Sequence, residues 1–152
     1  MKMKGRKPAI GREGVAGKAL EETRAVYSEL ARRPVERSCT LITECCQFQL
    51  TGRVPMLTKG EALVAARGLR ATGRKRMPER GDGACPMLDA RTNRCLIYES
   101  RPFGCRTHYC RGAGGPMARR EVLDLIRRLE AVDAMLGGDG VHAIGEIMKY
   151  EL

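Results

Sequence analysis

Three features of the sequence predict a mainly α chain with one small β-hairpin, folded as a single cysteine-rich, metal-stapled domain. Apolar residues recur at helical spacing in three long stretches, 18–33, 58–73 and 116–136. Between the second and third, two short β-prone runs flank a segment of turn formers. Seven cysteines gather in three separate stretches of a chain with only four Tyr, two Phe and no Trp. A core so poor in aromatics buries less area per side chain, and a cysteine-held metal supplies the missing staple.

Residues 1–17 are rich in Gly, Lys and Arg without periodicity and read as a flexible basic tail, leaving 18–152 as the domain. From Lys18 to about Arg33, Leu20, Tyr27, Leu30 and Ala31 sit at helical offsets, and Pro34 ends the element. Ser38–Cys46 follows, its Cys45-Cys46 pair in a tight turn or short helix, and the alternation of Phe48, Leu50 and Val54 predicts a short strand around Gly52. Thr58 and Glu61 have the spacing of a capping box, so a helix starts there and runs through Leu63, Val64, Ala66 and Arg70. Gly68 weakens that helix and Gly73 stops it.

After a basic loop over 73–84, Cys85–Leu88 and Arg94–Tyr98 read as the two strands of the hairpin, joined by Asp89-Ala90-Arg91-Thr92-Asn93. Glu99–Cys110 predicts a helical turn leading into irregular structure, and the glycines at 112, 114 and 115 make a break. Pro116 then opens the strongest helix, to about Leu136, with Met117, Val122, Leu125, Ile126, Leu129, Val132 and Leu136 as its stripe. Gly137 and Gly138 end it, and Asp139 caps a last helix bearing Val141, Ile144, Ile147 and Met148.

The formal net charge is +10, distributed as +5 over 1–37, +6 over 91–120 and −4 over 121–152. That asymmetry admits an anionic partner, an acidic protein or a nucleic acid, without selecting one. The plainer role of the central charge is to offset clustered thiolates. No secretory signal is visible, and no apolar run approaches the roughly 18 residues that span a bilayer. The expectation is a cytoplasmic protein whose cysteines are thiols, since disulfides need an oxidising compartment and seven cysteines leave one over.

Thiolates hold zinc tetrahedrally or carry iron–sulfur clusters, usually four at a time. The candidates are Cys39, Cys45 and Cys46, then Cys85 and Cys95 on the hairpin, then Cys105 and Cys110. No C-x-x-C occurs, so zinc-ribbon and ferredoxin spacings do not apply. The run Cys45-Cys46, Cys85-Pro86-Met87-Leu88-Asp89, Cys95-Leu96-Ile97-Tyr98 and Arg101-Pro102-Phe103-Gly104-Cys105-Arg106 resembles the YkgJ-type cysteine-cluster family, described as zinc- or iron-chelating and akin to a domain of flagellin lysine N-methylase. The resemblance implies Cys45, Cys46, Cys85, Cys95 and Cys105 as core ligands, with Cys110 an addition. The family's cysteine three residues before the Cys-Cys pair is Ile42 here, and Cys39 is the nearest upstream thiol.

Arg101 and Arg106, on either side of Cys105, are read first as partners of carboxylates such as Glu99 and Asp89, with hydrogen bonds to cluster sulfurs or an anionic ligand as the alternatives. His108 is read first as a loop histidine, with a ligand or supporting donor role as the alternative. The leading function is a metal-binding protein with a zinc or iron–sulfur site, structural or redox in role. The alternatives are a metalloenzyme acting on a protein or small molecule, and a zinc-stapled nucleic-acid module. No catalytic acid–base pair stands out, and few aromatics are present to stack on bases.

Overall fold

The structure, a computed structural model, describes residues 11–34, 46–109 and 113–152. Helix α1 (Arg12–Arg32) ends one residue short of Arg33, whose extended backbone leads into Pro34. It begins earlier than the sequence suggests, because Val15 and Ala16 already pack at the edge of its buried face and Glu13 favours the amide end of the helix. Residues 12–17 are therefore helical, and only 1–10 of the expected tail lie outside the described residues.

The strand expected near Gly52 is instead a single helical turn, α2 (Phe48–Thr51), closed by Gly52 at φ 64°. That left-handed angle is open to glycine, and it reverses the chain after one turn. Strand pairing falls elsewhere. β1 (Met56–Leu57) pairs antiparallel with β2 (His142–Ala143), matching Met56 to Ala143 and Leu57 to His142. The Cys85–Tyr98 segment folds back as expected but forms one antiparallel bridge, Leu88 to Cys95, rather than two strands.

Helix α3 (Lys59–Ala71) occupies the centre, and its capping box is present as the sequence predicts. On one side Ala62, Ala65, Ala66 and Leu69 pack with Leu57, Met87, Leu88, Ile97 and the apolar face of α6 (Ile144–Glu151). On the other, Val64 joins Leu20, Val26, Tyr27 and Leu30 of α1 and Leu125 and Leu129 of α5 (Leu123–Met135). Small residues let these helices approach closely. A Cβ on Gly60 would stand 2.7 Å from Val132 Cγ1, and one on Gly68 would stand 2.6 Å from Ser100 Oγ. Gly68 thus trades helix propensity for contact with the short 3₁₀ turn Tyr98–Ser100.

Helix α5 is shorter than its apolar stripe suggested. The Glu121 carboxylate accepts the Ala118 amide at 2.6 Å, fixing a 3₁₀ turn over Arg119–Glu121. Val122 then breaks the helical run at φ −129°. Val122, Leu125, Leu129 and Val132 are nonetheless all buried, each contributing about 1.5–3 kcal/mol. Arg128 bonds Glu22 at 2.8 Å and also Glu29, while Arg33 pairs with Asp124, tying α1 to α5 with part-exposed ion pairs of modest worth.

Asp139 does not cap α6. It pairs with His142 instead, and Val141 lies exposed, while Ile144, Ile147 and Met148 are buried as the pattern implies. The Gly138 and Gly140 turn is held by buried Asp133, which accepts the Gly140 amide at 2.9 Å and the Lys59 amide at 2.8 Å. One carboxylate thereby fixes both the exit of α5 and the start of α3. No helix among the described residues is long and apolar enough to cross a membrane.

Candidate metal centre

Cys46, Cys85, Cys95 and Cys105 line the wall of one cavity of about 620 Å³. Cys39, Cys45 and Cys110 lie outside the described residues. No disulfide joins any of the four, and Cys85 is buried while the others are half-buried.

Each thiol is placed by its own local chemistry. Cys46 precedes α2, and its carbonyl accepts the Cys85 amide at 2.8 Å, so the first and second cysteine stretches are joined through their backbones. Met87 and Leu88, sunk in the core at 1% and 2% exposure, anchor the strand end that carries Cys85. The turn to Cys95 is set by Asp89. Its carboxylate accepts the Arg91 amide at 3.2 Å and the Thr92 hydroxyl at 2.9 Å, and Asn93 takes the left-handed angle φ 56° that Asn tolerates. The Asp89 amide then bonds Arg94 O and the Leu96 amide bonds Met87 O, leaving Cys95 between two fixed rungs.

Cys105 rides on α4 (Phe103–Thr107), a short helix opened by Pro102. Its entry is fixed from across the molecule, because buried Glu61 accepts the Phe103 amide through Oε1 at 2.7 Å. Glu61 Oε2 serves the capping box, accepting the Thr58 amide at 2.8 Å and the Thr58 hydroxyl at 2.9 Å. Burial raises the carboxyl's pKa, and these hydrogen bonds pull against that rise.

Among the described residues, Arg101 and Arg106 form no ion pair with Glu99 or Asp89, contrary to expectation. Arg106 donates to Arg101 O at 2.8 Å and Glu99 O at 2.7 Å, with its guanidinium 4.1 Å from the centre of the Tyr27 ring. Arg101 donates to Tyr98 O at 2.9 Å and lies 3.9 Å from the centre of the Tyr98 ring. Carbonyls and aromatic faces hold these cations beside Cys105. His108, the C-cap of α4, receives Arg53 at Nδ1. Burial, and then the charge of Arg53, lower its pKa. A neutral ring that accepts at Nδ1 carries its proton on Nε2, so in this arrangement His108 presents no lone pair to a metal.

In donor chemistry the cavity fits a thiophilic metal: four sulfur donors, the usual number, with Arg53, Arg94 and Arg101 on the same wall to offset thiolate charge. As they stand, no three His, Cys, Asp or Glu side chains among the described residues are close enough to hold one ion.

Residues 36–122, over half of the chain, match the family model CxxCxxCC, described as "Putative zinc- or iron-chelating domain". The chain belongs to this zinc- or iron-chelating family. The match agrees with the resemblance carried by the cysteine blocks, and it covers every cysteine of the chain. The spacing in the family's name also fits Cys39–Cys46 residue for residue. Cys39, Cys45 and Cys46 take three of its four cysteine places, and Ile42 stands in the second. No curated protein and no solved structure matches the chain.

Sequence reasoning found the four cavity cysteines but not Glu61 as the clamp on α4, nor Arg53 as the partner of His108. Glu61 was visible only as half of a local capping box; nothing in a sequence marks its second oxygen as reaching a residue 42 positions away.

Proposed function

We propose that the chain holds zinc or an iron–sulfur cluster on thiolates drawn from Cys46, Cys85, Cys95 and Cys105, completed by Cys39, Cys45 or Cys110. The observation that carries this reading is the convergence of four cysteines from three separate stretches on one cavity, which three arginines also line and, among the described residues, no carboxylate. Buried structural cysteines have no reason to face a shared cavity, whereas ligands must. Metal held by thiolates of the folded chain couples metal affinity to stability. The metal's role is structural or redox, and thiolates of this kind persist in a reducing compartment such as the cytoplasm.

Metal and acid-labile sulfide assays with an absorption spectrum, on protein purified without oxygen, test the reading. Near-stoichiometric zinc in colourless protein, or iron with matching sulfide and a broad visible band, supports it. Folded protein with no metal and seven titratable thiols refutes it.

A further inference from the structure

The cavity is larger than a metal centre requires. Its roughly 620 Å³ lies in the range of pockets that enclose small organic molecules. Beyond the cysteines its lining combines apolar Phe48, Met87 and Ile97 with cationic Arg53, Arg94 and Arg101, and no Asp or Glu is among the described lining residues. Arg101 is steadied by the Tyr98 ring and carbonyl, so its fork is held in place. Arg53 donates to His108 Nδ1.

Four thiolates around a divalent ion carry a net charge of −2, as does an iron–sulfur cluster in the same ligand set at its usual oxidation level. Three arginines exceed that by one. A cavity with a surplus of one positive charge attracts a monoanion, and guanidinium forks match a carboxylate in two parallel hydrogen bonds.

The geometry points to a binding site, beside the metal centre, for a small organic acid whose carboxylate meets the arginines and whose apolar body lies against Phe48, Met87 and Ile97. The charge count rests on the proposed metal centre; the cavity and its lining do not.

The test uses the full chain as purified, with metal content measured on the same sample, and three probes followed by calorimetry and ligand-observed NMR: benzoate, neutral benzamide and dianionic phenyl phosphate. Benzoate binding one per chain, with benzamide about tenfold weaker or more, supports the site. Arg101→Gln weakens benzoate by about tenfold, with metal content measured on the same sample. Where Arg101→Gln disturbs folding, Arg94→Gln, an exposed position, gives the same reading. Benzamide binding as well as benzoate, phenyl phosphate binding tighter than benzoate, or no binding of any probe overturns it. Benzoate binding by metal-free protein upholds this site and sinks the metal reading, so the two failures are distinguishable.

Discussion

Glu61 Oε1 accepts the backbone amide of Phe103 at 2.7 Å, and this one bond fastens the helix that carries Cys105 to the start of the central helix α3. The other oxygen of the same carboxylate caps α3 itself. A single buried side chain thus sets the distance between the core of the molecule and one wall of the cysteine cavity.

Glu61→Ala leaves the Phe103 and Thr58 amides buried without their acceptor and costs about 2–4 kcal/mol, read as a lower urea midpoint. Glu61→Gln keeps one acceptor oxygen and costs less. In both, metal affinity falls by about 10–100-fold, as it does when groups that orient ligands are lost. Competition with a chromogenic chelator measures it. Unchanged affinity in a folded Glu61→Gln protein contradicts the positioning role.

Cys95→Ser and Cys105→Ser each remove a proposed sulfur donor, and both should purify with sharply reduced metal. Stripping the wild-type protein with a chelator lowers its thermal midpoint, because metal that binds only the folded state contributes about 4 kcal/mol at a thousandfold excess over Kd. Scanning calorimetry before and after chelation, and after metal return, gives the answer. Metal-depleted protein with an unshifted midpoint breaks the proposed link between ligation and folding.

Gly68→Ala improves helix propensity yet should destabilise, because the new methyl would lie 2.7 Å from Ser100 Cβ as well as 2.6 Å from its Oγ. The expected net cost is about 1–2 kcal/mol. Ser100→Gly removes the obstacle, so the double variant should recover stability relative to the sum of the singles. Denaturant midpoints for the four proteins complete the cycle.

Asp82 titrates near 2, held down chiefly by its hydrogen bonds from Arg80 and the Ala84 amide. Arg80 also donates to Leu88 O at 2.6 Å, so this pair braces the loop that delivers Cys85. A carboxyl depressed in the folded state contributes stability above its unfolded pKa and loses it as pH falls through the folded one. Stability from this group is therefore present above about 4 and is lost as pH falls toward 2. Carboxyl-carbon NMR should place its midpoint near 2 in the wild type and closer to the ordinary value in Arg80→Gln.

Local chemistry was legible in the sequence, and its long-range use was not. Thr58 and Glu61 announced the start of α3, Pro34 the end of α1, and Gly73 the end of α3, because caps and breakers act over three or four residues. The small pleated element was expected at the cysteine hairpin, where β-prone residues cluster. It forms instead from Met56–Leu57 and His142–Ala143, segments nearly ninety residues apart whose pairing depends on where α3, α5 and α6 leave the chain. The apolar stripe from Met117 suggested one long helix, but the Glu121 cap on Ala118 and the non-helical backbone at Val122 divided it. At the site, the cysteine blocks pointed to the four thiols that line the cavity. The arginines' true partners, the Tyr27 and Tyr98 rings and nearby carbonyls, were hidden because stacking leaves no mark in residue order.

X-ray absorption at the edge of the bound metal tests the central claim most directly, because it counts the donor atoms around the ion. Sulfur scatterers at about 2.3 Å, the distance of a zinc–thiolate bond, or the paired sulfur and iron shells of a cluster, are the predicted result, with sulfur lost in Cys95→Ser and Cys105→Ser. A shell of nitrogen and oxygen alone, at about 2.0–2.2 Å, would contradict a centre built on the cavity cysteines.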